Sequence, residues 1–214
     1  MEREVRVGPL QLPGLLGVPD QARGLVIFAH GSGSGRHSPR NRYVASGLRQ
    51  AGCATLLLDL LLPSEEDDRT RVFDIPLLAA RLGDAVLWAR AQTELAAMPI
   101  GFFGASTGGG AALVAAADRP DQVSAVVSRG GRPDLAGAAL ARVRAPTLLL
   151  VGGLDLQVLE LNRAAAEQLQ AEHSLRIIPG ATHLFEEAGT LEQVLEMASA
   201  WFVEKFAQAA GRTA

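Results

Sequence analysis

The stretch GASTG, residues 104–108, places Ser106 between two glycines in the pattern G-x-S-x-G. An apolar run at 99–103 precedes it, and a run of small residues at 111–117 follows it. At a sharp turn from a strand into a helix, a serine is held in a strained conformation with its hydroxyl exposed, and the flanking glycines let neighbouring backbone approach. The pattern therefore predicts a nucleophile at Ser106. The alternative is that Ser106 only caps the helix that follows.

A serine hydroxyl needs a base that takes its proton and an acid that orients the base. Of the four histidines, His183 follows the last predicted strand, at the edge where the loops of a parallel sheet form active sites. Asp155 follows the preceding strand, and the order Ser106, Asp155, His183 is a known chain order for a triad. We predict these three residues as catalytic. Asp134 and Asp59 are alternatives for the acid, and Asp155 would otherwise only cap the next helix.

The loop AHGSGSG, residues 29–35, follows the first predicted parallel strand. An oxyanion hole needs a second backbone N–H beside the one that follows the nucleophile. We predict that the N–H groups of Ser32 and Thr107 form this hole and that the His30 ring braces the loop. A dinucleotide fingerprint would need its third glycine where Arg36 stands, so this loop does not predict a nucleotide cofactor.

Several arginines lie in or beside the loops at this edge of the predicted sheet: Arg36, Arg40, Arg42, Arg129 and Arg132. Guanidinium groups bind carboxylates through two parallel hydrogen bonds, so one interpretation is a rim that binds an anionic substrate. The other interpretation is that they are surface arginines or brace the loops. The candidate substrate-binding residues are Gly31, Arg36, Arg42 and Arg129, of which Arg129 directly follows a core strand.

Apolar runs of strand length alternate with segments of helical length along the chain. This alternation predicts an α/β fold with a mostly parallel sheet covered by helices on both faces. The parallel strands are predicted at 25–29, 54–58, 100–103, 123–128, 147–151 and 175–178, and the helices at about 41–51, 76–95, 107–117, 134–141, 157–171 and 188–209. Residues 5–7 and 10–18, which Pro9 and Pro13 interrupt, predict an irregular edge hairpin.

Two connections bear on access to the predicted site. Residues 59–76 form a long irregular segment, which is uncommon in a compact domain unless it is functional or mobile, and we consider it a partial lid as a hypothesis. Its acidic cluster, 65–68, is interpreted as a solvated loop. The connection 129–146 is too short for a large inserted cap. We therefore predict one domain over residues 1–214.

Composition limits the class of protein and its partners. The chain has 48% hydrophobic and 20% charged residues and a net charge of −3, which fits a globular protein and gives no reason to propose nucleic-acid binding. No apolar stretch is long enough to span a bilayer and the first ten residues lack a signal-peptide pattern, so we predict no membrane association and a cytoplasmic location. The single cysteine, Cys53, excludes an intramolecular disulfide and a multi-cysteine zinc site. A monomer and a homodimer both remain open.

Together these motifs resemble those of the α/β-hydrolases, nearest to the small cap-less proteins of the dienelactone-hydrolase type. The resemblance extends over essentially the whole chain through HGSGSGRHSPRNR, GASTGG, LLLVGGLD and PGATHLF. It implies an α/β-hydrolase fold, a triad of Ser106, Asp155 and His183, and Ser32 and Thr107 beside the oxyanion hole. Dienelactone hydrolase itself uses a cysteine nucleophile. Ser106 therefore points instead to the hydrolysis of esters or related acyl compounds.

We accordingly expect a serine hydrolase that cleaves small acyl esters or lactones through an acyl-enzyme, with no metal and no organic cofactor. The same triad serves the hydrolysis of thioesters, amides or carbon–carbon bonds, acyl transfer and perhydrolysis, and fold and triad do not separate these reactions. A catalytically idle α/β-hydrolase domain that acts as a binding module is the alternative of another class. Such a module has no need of all three triad residues and the oxyanion loop.

Overall fold

Eight strands form one sheet in the computed structural model, which describes residues 2–211. The strands are β1 (Glu2–Val7), β2 (Leu12–Gly17), β3 (Leu25–Ala29), β4 (Ala54–Leu58), β5 (Ile100–Ala105), β6 (Val123–Arg129), β7 (Thr147–Gly152) and β8 (His173–Ile178). Their order across the sheet is β1-β2-β4-β3-β5-β6-β7-β8. The hairpin β1–β2 joins β4 in antiparallel fashion and all later pairs are parallel. The predicted fold class is therefore confirmed.

Helices cover both faces of this sheet. They are α1 (Pro39–Gln50), α2 (Arg69–Val72), α3 (Ile75–Arg90), α4 (Thr107–Asp118), α5 (Leu156–Ala166) and α6 (Thr190–Gly211), with a 3₁₀ segment at Pro133–Arg142. Successive side chains of a strand point to opposite faces, so each buried strand contributes to two cores. One core lies under α3 and α4 and the other under α1 and α6. This double burial explains why the central strands are continuous apolar runs.

Three predicted helices differ from those in the structure, one of which, predicted at 157–171, ends at Ala166. The helix predicted to reach residue 95 ends at Arg90, where the guanidinium donates to the carbonyl oxygens of Ala96 and Met98 and holds the chain in turns. The helix predicted at 134–141 is a 3₁₀ segment interrupted at Gly137, whose φ of +51° lies in the left-handed region. Glycine adopts that region without a Cβ clash, so the apolar pattern does not carry a regular α-helix through it.

The connections leave the carboxyl edge of the sheet uncovered by a second domain. Between β6 and β7 the chain forms only the 3₁₀ segment, so residues 2–211 contain no large cap, as predicted. Within the same residues, no helix is both long enough and apolar enough to cross a membrane.

Candidate active site

Ser106 occupies the turn between β5 and α4 with a backbone conformation of φ +51° and ψ −123°. This positive φ is uncommon for a residue with a side chain and stores local strain. The turn is possible because two glycines, which have no Cβ, allow neighbouring backbone atoms to approach closely. A Cβ on Gly104 would lie 2.6 Å from the Gly108 carbonyl oxygen, and a Cβ on Gly108 would collide with the Ala29 carbonyl oxygen. The G-x-S-x-G spacing therefore produces a tight turn with a half-buried serine at its tip.

The loop after β3 closes over Ser106. A Cβ on Gly31 would lie 2.9 Å from Ser106 Cβ, so glycine is what leaves room for the serine side chain. The Ser106 carbonyl oxygen accepts hydrogen bonds from the N–H groups of Gly109 (3.0 Å) and Arg132 (2.9 Å). Within residues 2–211 the Ser106 hydroxyl itself has no hydrogen-bond partner. In serine hydrolases the hydrogen bond between the serine hydroxyl and its base commonly becomes short only when substrate binds.

Asp155 and His183, which are far apart in the sequence, meet at the ends of β7 and β8. Asp155 Oδ2 lies 2.6 Å from His183 Nδ1. The carboxylate is 15% exposed and the imidazole 39% exposed, so the pair is open to solvent on the histidine side. Asp155 is the residue before α5 but makes no side-chain cap. Its carboxylate is thus directed at the histidine and not at the helix.

The two alternative candidates for the acid, Asp134 and Asp59, are both paired with arginines. Asp134 forms two hydrogen bonds with the Arg132 guanidinium, at 2.8 and 2.7 Å. Asp59 accepts from the Arg36 N–H (2.6 Å) and from the Arg36 side chain. Neither carboxylate is therefore the partner of His183.

The last residue of β6 and the residue after it lie beside the serine and the histidine, respectively. The Ser106 N–H donates to the Arg129 carbonyl oxygen at 3.4 Å. A Cβ on the next residue, Gly130, would lie 3.2 Å from the His183 carbonyl oxygen and 3.6 Å from its Nδ1. Ser106 and His183 thus lie against neighbouring residues of one segment. The structure records no hydrogen bond between the two side chains in the part of the chain that it describes.

The two residues predicted for the oxyanion hole are neighbours, but one N–H has a partner. The Ser32 N–H donates to the Thr107 hydroxyl at 3.1 Å. Thr107 is buried at the start of α4, where backbone N–H groups and the positive end of the helix dipole favour negative charge. No sequence pattern indicates the Ser32–Thr107 hydrogen bond, because it joins residues 75 positions apart.

His30 braces the loop after β3, as its position suggested. Its Nε2 accepts the Leu60 N–H (2.9 Å) and its Nδ1 lies 2.9 Å from the Gly31 carbonyl oxygen. Burial lowers the pKa of His30, which favours the neutral ring. A neutral ring with its proton on Nδ1 satisfies both contacts at once. The loop after β3 is thereby tied to the loop after β4.

A cleft of about 670 Å³ opens beside Thr107. One wall is formed by residues 30–40 and the other by side chains of the 59–76 segment, including Leu61, Glu66 and Val72. That segment is not simply a solvated loop: Glu65 forms two hydrogen bonds with the buried Arg81 (2.7 and 2.8 Å), which also donates to the Leu60 carbonyl oxygen. Sequence reasoning missed this anchor, although an arginine on the apolar face of a helix was a signal for it.

The candidate arginines separate into paired and unpaired groups. Arg42 lies near Glu2 (3.5 Å) and does not line the cleft, which removes the basis for its predicted contact with substrate. Arg36 does line the cleft, but its charge is matched by Asp59. Arg40 pairs with Glu186 at 3.1 Å. Arg129 differs from all of these, because its guanidinium has no carboxylate partner among residues 2–211.

A family model described as an alpha/beta hydrolase domain matches residues 22–209. Among curated proteins, two from Mycobacterium tuberculosis strains, each named "Putative phosphoribosyl transferase", are 60% identical over 203 residues. The match covers 95% of this chain and 46% of each relative, so the chain spans about half the length of the curated relatives it matches.

Solved structures extend this comparison. The dienelactone hydrolase from Anabaena variabilis is 58% identical and superposes with a TM-score of 0.92, over 96% of this chain and 98% of that one. Est1E from Butyrivibrio proteoclasticus has a TM-score of 0.78 over 96% of this chain and 99% of its own, at 19% identity. At that identity the likeness concerns the fold alone.

Proposed function

The chain belongs to the α/β-hydrolase family, and from that premise we propose that it is a serine hydrolase acting on small carboxylic esters or lactones. One observation carries the proposal. A serine with positive φ at the β5–α4 turn lies against the same segment as a histidine whose Nδ1 is 2.6 Å from an aspartate. Strained serines at such turns and histidines held by a carboxylate are the two halves of a nucleophilic triad.

The first half of the reaction forms an acyl-enzyme. Because Asp155 occupies Nδ1 of His183, Nε2 is the nitrogen that takes the proton from Ser106 Oγ. Oγ bonds to the carbonyl carbon, and the carbonyl oxygen becomes the oxyanion. When the tetrahedral intermediate collapses, the bond from carbon to the leaving oxygen breaks, and His183 gives its proton to the leaving alcohol.

The second half restores the enzyme. Water attacks the acyl-enzyme while His183 Nε2 takes its proton, and the ester bond to Ser106 breaks with return of the proton to Oγ. The products are a carboxylic acid and free enzyme. Asp155 keeps the imidazole in the required tautomer and stabilises its charged form throughout.

We assign the oxyanion to the N–H groups of Thr107 and Ser32. Preorganised donors at this position commonly provide the largest single contribution to the rate. The Ser32 N–H donates to the Thr107 hydroxyl. The oxyanion then replaces or shares that acceptor, so the hydroxyl holds the donor in place until charge develops.

The names of the relatives bear on the substrate in different ways. Dienelactone hydrolase is the name of the 58% identical structure, and it supports a lactone or ester substrate here. The transferase name belongs to proteins of which this chain matches 46%. We attribute that activity to the part of those proteins outside the match, because the strained serine and the aspartate–histidine pair favour acyl hydrolysis.

The test is labelling of the protein by a fluorophosphonate, followed by hydrolysis of p-nitrophenyl acetate. We expect the label on Ser106, and loss of both labelling and hydrolysis in Ser106→Ala. Ser34→Ala is the control, because Ser34 is an exposed serine that lines the cleft beside Thr107. Retention of ester hydrolysis in Ser106→Ala would contradict the proposal, and absence of labelling in the folded wild type would favour an idle binding module.

The wider organisation of the protein is part of the same proposal. We propose that residues 1–214 act as one catalytic domain without a metal or an organic cofactor. The cytoplasmic location and the choice between monomer and homodimer stay predictions.

A further inference from the structure

The loop after β3, residues 30–38, contains two consecutive four-residue turns. In residues 31–34 the last N–H donates to the first carbonyl oxygen at 3.2 Å, and residues 35–38 close in the same way at 3.0 Å. The second residue of each turn, Ser32 or Arg36, donates its own N–H to a side chain that lies outside the loop. Each turn is therefore attached to the rest of the molecule through one backbone N–H.

The first turn carries the proposed oxyanion donor. Residues 32–34 are exposed, so packing around their side chains does not fix the turn. The Ser32 N–H donates to the Thr107 hydroxyl at 3.1 Å, and the oxyanion competes for this same N–H during the reaction. A donor that acts by preorganisation must be held by groups that do not change partner in the transition state. The contact with Thr107 alone does not meet that requirement.

The second turn is held by the carboxylate of Asp59, a residue only 8% exposed. Its Oδ1 accepts the Arg36 N–H at 2.6 Å, and its Oδ2 accepts from the Arg36 guanidinium. Hydrogen bonds to an ionised carboxylate are roughly twice as strong as those between neutral groups. A Cβ on Gly35 would lie 2.8 Å from Oδ1, so a glycine at this position is what lets the loop approach the carboxylate.

The sheet in turn fixes Asp59. This residue directly follows β4, and its N–H donates to the Pro13 carbonyl oxygen of β2 at 3.0 Å. The next residue, Leu60, donates its N–H to His30 Nε2 at 2.9 Å. Two consecutive residues after β4 therefore bind the loop on both sides of Ser32. Neither contact uses the N–H that the oxyanion needs, so both can persist while the oxyanion forms.

We propose that Asp59 and Arg36 are positioning residues of the reaction, which hold the loop after β3 so that the Ser32 N–H stays in place when the oxyanion forms. This inference deepens the proposed function and rests on it, because an oxyanion forms only if Ser106 attacks an acyl carbon. Both residues line the cleft, but in this role they act through the backbone of the loop and not by contact with substrate. Their contribution is therefore made in the transition state and belongs to kcat.

Steady-state hydrolysis of p-nitrophenyl acetate tests this role. We expect Asp59→Ala to lower kcat by about ten- to hundred-fold and to change KM by less than about three-fold, because the donor is misplaced only in the transition state. Asp59→Asn keeps an oxygen for the Arg36 N–H and should retain more activity than Asp59→Ala. The inhibition constant of phenylboronic acid, whose adduct with Ser106 places an oxygen where the oxyanion forms, should rise as kcat falls. A purely structural role would lower stability and leave both constants of the folded protein unchanged.

A further variant keeps the test decisive if Asp59→Ala fails to fold. Gly35→Ala places a methyl group 2.8 Å from Asp59 Oδ1, which displaces the carboxylate without removing it, and should also lower kcat. Asp67→Ala is the matched control, because Asp67 is an exposed carboxylate that lines the same cleft. If kcat and the inhibition constant of the folded Asp59 and Gly35 variants equal those of the wild type, the inference is overturned.

Hydrogen exchange separates this inference from the proposed function. Mass spectrometry of the peptide that spans residues 30–38 should show faster amide exchange in Asp59→Ala than in the wild type, and unchanged exchange overturns the inference. If the wild type cleaves the ester and the Asp59 variants match it in kcat, the inference fails and the proposed function stands. If the wild type cleaves no ester, the proposed function fails and the oxyanion role fails with it, even where exchange shows that Asp59 fixes the loop.

Discussion

At the scale of single residues, the pairing of each aspartate decides its role. Asp155 is the carboxylate on His183, whereas Asp134 and Asp59 are held by arginines. From sequence position alone, each of the three aspartates is a candidate for the acid of the triad, because each lies near the end of a strand. The direction of a side chain, which only packing fixes, separates them.

We expect Asp155→Asn to reduce kcat for p-nitrophenyl acetate by about 10³- to 10⁴-fold with little change in KM. The amide no longer accepts the Nδ1 proton, so the imidazole loses the tautomer that leaves Nε2 free to act as base. Steady-state kinetics over a range of substrate concentrations measures both constants. In the matched control, Asp134→Asn, kcat should be unchanged, and a larger loss there than in Asp155→Asn would transfer the role of acid to Asp134.

At the scale of elements, a buried ion pair attaches the 59–76 segment to helix α3. Glu65 makes two hydrogen bonds to Arg81, which is only 4% exposed. The same guanidinium donates to the Leu60 carbonyl oxygen, two positions after β4. The wall of the cleft is therefore anchored at one end, and the hypothesis of a lid applies to the part after residue 65.

We expect Glu65→Gln to lower the free energy of unfolding near neutral pH by about 1–3 kcal/mol, because a charge-assisted pair to a buried guanidinium becomes a neutral hydrogen bond. Urea denaturation followed by circular dichroism measures the loss. Glu66→Gln is the control, since Glu66 is exposed and makes no ion pair within residues 2–211. Equal stability of wild type and Glu65→Gln would show that the pair does not hold the segment.

The pH dependence of this difference has a defined sign. The hydrogen bonds to Arg81 hold the pKa of Glu65 below its ordinary value of 4.5. A depressed carboxyl pKa contributes stability above the unfolded value, and that contribution is lost as the pH falls through the folded value. The gap between wild type and Glu65→Gln should therefore be full near neutral pH and close in acid, below pH 4.5. A gap that widens in acid contradicts this assignment.

At the scale of the whole molecule, the parallel sheet gathers distant residues at one edge. The strands β3, β5, β6, β7 and β8 all run in the same direction, so the loops after them meet. This brings together the loop after β3, the serine, the end of β6, the aspartate and the histidine. The parallel arrangement of the sheet therefore assembles the candidate site, and each loop supplies one part of it.

Cys53 provides a probe of global unfolding. It is fully buried in the core under α1 and α6, and burial raises the pKa of its thiol to about 11. With this pKa, only about one thiol in a thousand is ionised in the folded protein at pH 8. We expect a thiol-specific disulfide reagent to label native protein very slowly and denatured protein completely. Complete labelling of native protein within minutes would contradict the burial of this residue.

The sequence by itself determined the fold class, the positions of the strands and the order of the serine, aspartate and histidine. These are readable because burial on both faces makes strands continuously apolar, and because a strained turn requires glycines at fixed spacing. The position of loop 29–35 is likewise predicted from the sequence, because this loop directly follows the first parallel strand. Helix ends were less readable, since hydrogen bonds from the Arg90 guanidinium follow the end of one helix and Gly137, with its positive φ, interrupts another.

Only the tertiary structure decided which polar groups meet. The partner of the Ser32 N–H, the anchoring of Glu65 on Arg81 and the separation of Arg129 from every carboxylate of residues 2–211 depend on contacts between distant parts of the chain. Sequence patterns record the burial of a residue, because hydrophobicity repeats with the period of a strand or a helix. They do not record hydrogen-bond partners, because the same arginine can be paired or left alone depending on which loop folds against it.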